Sequence, residues 1–145
     1  MTKSAMIPEA EWEVMRIIWT TGTISSSDVI ANLQEKTSWT ESTIKTLLRR
    51  LVAQGWLKTE KQGRKFLYTP TIDQTEMMYR ASMDMLDRMC DMHKGTLLIQ
   101  LLQAVPMSKT DLKKLASLAN EKAVTAPETV PCNCLPNNLT KGKDC

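Results

Sequence analysis

The chain has 145 residues, 42% apolar and 24% charged, with a formal net charge of +3. This is the make-up of a globular protein of one domain, or of a small domain plus an oligomerisation piece. No stretch is long and apolar enough to span a bilayer, the start has no signal-peptide pattern, and a single histidine excludes most hydrolytic constellations.

A first helix is expected from about Pro8, with Ala10, Val14, Ile17 and Ile18 on one face and Trp12, Met15 and Trp19 on another. Apolar character on two sides predicts a helix sandwiched between other elements. Gly22 ends it. In "SSSDVIANLQEK" a serine caps a short second helix, Asp28 lies in its first turn, and Val29, Ile30 and Leu33 face inward.

"WTESTIKTLLRRLVAQGW" carries the clearest helical pattern, with Thr40 as N-cap and Gly55 as stop. Ile44, Leu47, Leu48, Leu51 and Val52 make its apolar face. Ser42, Thr46, Arg49 and Ala53 fall opposite, with Lys45 and Arg50 on the shoulders. The period then changes: "WLKTEK" and "KFLYT" read as strands around a turn at Gly63, and Pro70 ends the second. Three helices followed by a basic hairpin is the order of a winged helix-turn-helix. The expected fold class is therefore mainly α with a small β-hairpin, a winged helix-turn-helix followed by a helical dimerisation region.

A long helical stretch is expected from Asp73 to Met92, with Met78, Met85 and Met92 seven residues apart. Near-heptad spacing favours packing at a dimer interface over thioether metal ligation. A further helix follows Gly95 through Leu97, Leu98, Leu101 and Leu102 and is broken by Pro106. "SKTD" then starts a helix through Leu112, Leu115 and Leu118. From Ala123 the pattern dissolves into a linker. The expected domains are residues 1–71 (DNA binding), 72–122 (helical dimerisation) and 123–145 (a flexible cysteine-containing tail).

The charge is concentrated. Between Trp39 and Tyr68 seven basic residues face two acidic ones, giving +5 there and −2 elsewhere. A basic segment on a near-neutral body suits a polyanion docking at one place. In a helix-turn-helix the second helix enters the major groove, apolar at its back and polar at its front. Ser42, Thr43 and Thr46 are short enough to let the backbone approach. Arg49 can reach a guanine edge or a phosphate, Lys45 and Arg50 sit where phosphates run, and Arg64 and Lys65 tip the hairpin. The expected partners are double-stranded DNA and a second copy of the chain, with no membrane, no small-molecule substrate and no enzymatic activity.

Three of the four cysteines lie in the last fourteen residues, "CNCLPNNLTKGKDC". A cytoplasmic setting keeps thiols reduced, which points to metal binding or redox chemistry before structural disulfides. Cys132 and Cys134 can share one ion or bridge two, and their soft sulfur suits Cu(I) and Zn(II). With Cys145 they make the expected metal set; three thiolates complete a trigonal Cu(I) site, whereas zinc usually wants a fourth ligand. Cys90 and His93, i and i+3 on one expected helix, could also share an ion, but a buried cysteine and a histidine near a helix C-terminus are preferred.

"EWEVMRIIW", "TIKTLLRRLVAQGWL" and "GRKFLYTP" resemble the penicillinase-repressor (BlaI/MecI) superfamily of bacterial winged-helix repressors over roughly residues 7–120. The "CNC" tail resembles that of its copper-responsive, CopY-type branch. The resemblance implies a homodimer on an inverted-repeat operator that controls copper-exporting ATPases and releases DNA when Cu(I) binds the C-terminal cysteines. It also implies that Ser42, Thr43, Thr46 and Arg49 face the groove, and that Gly63, Arg64, Phe66 and Tyr68 build the wing. That branch carries two Cys-x-Cys pairs separated by four residues; here the second would fall at Leu139 and Lys141, and neither is cysteine. Two alternatives stay open. One is an antibiotic-resistance repressor inactivated by proteolysis, which needs no cysteine tail. The other is a copper-buffering or thiol-redox protein, which needs no basic helix.

Overall fold

The computed structural model describes residues 7–136 and 145. The described chain divides into two compact units at Asp84–Met85. In the first, α1 (Glu9–Thr21), α2 (Ser26–Lys36) and α3 (Glu41–Ala53) pack with a three-stranded sheet. Strands β2 (Leu57–Gln62) and β3 (Lys65–Pro70) form the hairpin, and β1 (Ile24–Ser25) pairs antiparallel with β3, giving the order β1-β3-β2. Sequence pattern alone does not find β1. Its two residues are held by pairing with Tyr68 and Leu67.

The helix starts follow the expected chemistry. The Ser25 hydroxyl accepts from the Asp28 amide and the Thr40 hydroxyl from the Thr43 amide, satisfying donors that a helix start leaves unpaired. Gly22 closes α1 at φ 82°, a left-handed angle that only glycine adopts cheaply. Val14, Met15, Ile18, Val29, Leu33, Ile44, Leu48 and Leu51 are fully buried and form one core. The apolar stripe of α3 is thus consumed by its own domain, and its opposite face is left to solvent. Two-sided α1 is explained as well: Met15 is fully buried, while Trp12 and Trp19 meet at 5.6 Å and the Trp19 indole donates to the Ile72 carbonyl.

The expected helix from Asp73 to Met92 is broken. α4 spans Gln74–Leu86, and α5 spans Asp91–Ala104 with Gly95 inside it. Between them the chain tightens into short turns, Arg88 N–H to Met85 O and Met89 N–H to Leu86 O. Cys90 then adopts an extended conformation as the N-cap of α5. His93 therefore lies in the first turn of α5, not near a helix C-terminus, and Cys90 is half-buried, not buried. α6 runs Lys109–Ala123, capped by the Ser108 hydroxyl on the Asp111 amide.

Neither α5 nor α6 buries a residue. Leu98, Ile99, Leu101, Leu102, Val105 and Leu115 line an open apolar hollow of about 450 Å³ within the second unit. Ile99 is 61% and Leu118 61% exposed. Among the described residues no helix is long and apolar enough to cross a membrane.

Candidate nucleic-acid interface and thiol cluster

The face of α3 away from the core is polar and reachable. Ser42, Thr43, Lys45, Arg49 and Arg50 are exposed and Thr46 is half-exposed. Local contacts order them without consuming them. The Thr46 hydroxyl donates to the Ser42 carbonyl at 3.0 Å, and Arg49 Nη2 donates to Thr46 Oγ1 at 3.3 Å. Lys45 Nζ meets Glu41 at 2.7 Å, an exposed i,i+4 pair of the kind that gives way readily to a stronger anion. Arg50 lies near Glu11, whose buried carboxyl has Oε2 without a hydrogen-bond partner. Burial pushes the Glu11 carboxyl above its ordinary value, and the Arg50 charge partly offsets this.

The hairpin completes a concave surface. Gln62 pairs with Lys65, so Gly63 at φ 65° and Arg64 form the tip. Arg64 and Lys65 are both exposed, and Lys61 Nζ sits 5.9 Å from the centre of the Phe66 ring. A groove of about 690 Å³ runs between α3 and the hairpin, lined by Lys45, Arg49, Arg64, Thr59, Phe66 and Tyr68, with Ser26 from the start of α2 at its edge. Ser26 and Thr59 are absent from the residues expected on sequence grounds, because neither carries charge nor belongs to α3.

The second unit gathers sulfur. The side-chain sulfurs of Cys90, Cys132, Cys134 and Cys145 all lie within 4.8 Å of one another. Cys90 and Cys145 approach to 3.0 Å, and the Cys134 thiol reaches Cys145 at 3.6 Å. Cys132 is buried, and its sulfur accepts from the Cys134 amide at 3.4 Å. Asn133 Oδ1 accepts from the Asp91 amide at 2.9 Å, so the tail itself caps α5. His93 Nε2 stands 3.1 Å from the main-chain oxygen of Cys145 and 3.5 Å from its sulfur.

Hydrogen bonding from Cys145 holds the Cys90 thiol down to about 6, helped by the Met92 and Asn133 main chain. The same contact pushes Cys145 far above the ordinary thiol value. The Cys134 thiol is also raised, first by its interaction with Cys132. Cys132, Cys134 and Cys145, expected as a set, are thus brought together, and Cys90 joins them. Cys90 is separated from the tail by more than forty residues, and no local spacing signals that meeting. Spacing alone does not favour an ion shared by Cys90 and His93, and the structure gathers Cys90 with the tail cysteines. Leu139 and Lys141 lie outside the described residues.

A helix seated on its own core, presenting hydroxyls and guanidinium groups beside a basic hairpin, defines a winged-helix DNA-binding protein. The chain belongs to the penicillinase-repressor family, whose model matches residues 7–121, and is a transcriptional repressor of that family. It is 49% identical over 138 residues to an uncharacterised 16.5 kDa protein of Latilactobacillus sakei, covering 95% of this chain and 94% of that one. It is 32% identical to the penicillinase repressor of Bacillus licheniformis, covering 83% and 94%. It is 27% identical to the methicillin resistance regulatory protein MecI of Mammaliicoccus sciuri, covering 83% and 98%.

Proposed function

We propose that the chain is a metal-responsive repressor that binds an inverted-repeat operator as a homodimer through α3 and the β2–β3 wing. Operator affinity falls when the C-terminal cysteines take Cu(I), and the controlled genes are those of copper export. Ser42, Thr43, Thr46 and Arg49 face the bases, while Lys45, Arg50, Arg64 and Lys65 take phosphates. The observation that carries the metal reading is the thiol cluster. Soft sulfur donors gathered within 4.8 Å match the ligand preference of Cu(I) and Zn(II). The family match ends at residue 121, before the first tail cysteine, so a repressor acting through the matched part alone does not need these thiols. Replacing Cys132 and Cys134 by serine separates the two readings, because it leaves the response of a repressor inactivated by proteolysis intact.

The donor set fits such an ion. Tetrahedral zinc with Zn–S bonds of about 2.3 Å requires sulfurs about 3.8 Å apart, and the cluster spans 3.0 to 4.8 Å. A bound ion would neutralise charge and hold the thiolates of the tail in one place; Zn(II) or the metal-free state leaves the operator bound. The homodimer is supported by the exposed leucine-rich face of α5 and α6, which no other part of the described chain covers.

Cu(I) titrated into the operator complex, anaerobically and with reductant, is expected to weaken binding by roughly 5–150-fold, a coupling of about 1–3 kcal/mol. Unchanged affinity at saturating Cu(I) removes the metal response.

A further inference from the structure

We propose that Cys90 is the fourth ligand of a four-thiolate Zn(II) site, and that the ion clasps the tail to the start of α5. The inference rests on the metal reading above and adds a residue that the tail sequence does not supply.

An N-cap position normally holds a side chain that accepts from the third residue of the helix. Ser25, Thr40 and Ser108 all do so at the starts of α2, α3 and α6. Cys90 holds the same position in α5 and makes no cap bond. Its sulfur turns to the tail instead, 3.0 Å from Cys145. Asn133, the residue between the two tail cysteines, meets a different unpaired amide of that helix start: its side-chain oxygen accepts from Asp91, the first residue of α5. The tail therefore supplies both that contact and the partners of Cys90.

Zinc in structural sites takes four protein ligands, and soft thiolates suit it. Cys132, Cys134 and Cys145 provide three, and Cys90 makes the set tetrahedral in number within a single chain. A histidine stands beside the site: His93 Nε2 lies 3.1 Å from the Cys145 main-chain oxygen and 3.5 Å from its sulfur, within reach of an outer-shell contact to that ligand. Three thiolates complete a Cu(I) site, and Cys132, Cys134 and Cys145 supply three from the tail alone, so in this proposal Cys90 is the thiolate released when Cu(I) replaces Zn(II), which opens the clasp at the start of α5. The regulatory step is thus a change in how many thiolates the bound ion uses. Each thiol that binds loses a proton to solvent.

The test uses the full reduced chain with Co(II) as the probe for the zinc site. Thiolate-to-cobalt charge transfer in the near ultraviolet scales with the number of Co–S bonds. Cys90→Ser is expected to lower its intensity by about a quarter, as is Cys134→Ser. It is also expected to weaken Zn(II) retention against a chelator by more than about tenfold, since even an outer-shell change commonly costs 10–100-fold. Retention of Cu(I) stays as in wild type. Serine is a preferred N-cap residue, so Cys90→Ser keeps or improves α5, and unchanged circular dichroism verifies this. Wild-type charge-transfer intensity in Cys90→Ser overturns the fourth ligand and leaves the tail site standing. No charge-transfer band in the wild type overturns this inference, and failure to retain Cu(I) as well defeats the metal reading itself.

Discussion

The double variant Leu98→Asp/Ile99→Asp is expected to run as a monomer and to lose operator affinity by about 10³-fold or more, toward the non-specific range. Both side chains are more than half exposed, at 52% and 61%, so aspartate there costs the single chain little. In the proposed dimer the second copy covers these positions, so two unpaired carboxylates on each side would oppose association. One winged helix reads one half-site. Two joined by a twofold axis read both, and their binding free energies roughly add. Sedimentation and fluorescence anisotropy on a duplex selected by the wild-type protein from a random library measure both quantities. A monomer that keeps wild-type affinity contradicts the need for a dimer. A variant that stays dimeric contradicts the assignment of this face.

Arg49→Ala is expected to cost about 2–6 kcal/mol of operator binding, roughly 30-fold to 10⁴-fold, if each of two subunits loses one bidentate base contact of about 1–3 kcal/mol. The Arg49 guanidinium is exposed on α3 and steadied by Thr46 at 3.3 Å. Substitution does not reach the core, because Leu48 and Leu51 carry the packing of that turn. A contact to a base concentrates the loss on one operator position, whereas a contact to a phosphate weakens all sequences alike. Anisotropy against a panel of single-base operator variants separates the two. Wild-type affinity throughout removes Arg49 from the interface.

The DNA-binding half was largely legible because its signals are local. Ile44, Leu47, Leu48 and Leu51 repeat at the helical period, Thr40 caps, and Gly63 turns the hairpin, so each element announces itself within a few residues. β1 was not legible, since Ile24 and Ser25 become a strand only by pairing with β3. The break after Leu86 was also hidden. Asp87, Arg88, Met89 and Cys90 include no glycine or proline, and nothing in that run marks a helix end. That hidden break matters most for the thiol cluster, because it puts Cys90 at a helix start where the distant tail can meet it. The three tail cysteines were readable from spacing and softness; the fourth required the fold.

In the proposed repressor, exposed cations of α3 and the wing lie against duplex phosphates. The most direct measurement is operator affinity as a function of salt. With Lys45, Arg50, Arg64 and Lys65 of both subunits on phosphates, log K is expected to fall against log salt with a slope of about −7. Arg64→Gln/Lys65→Gln should make that slope shallower by about 4, close to one for each lost charge. A wild-type slope near zero, or a steep slope that the double variant leaves unchanged, contradicts the account.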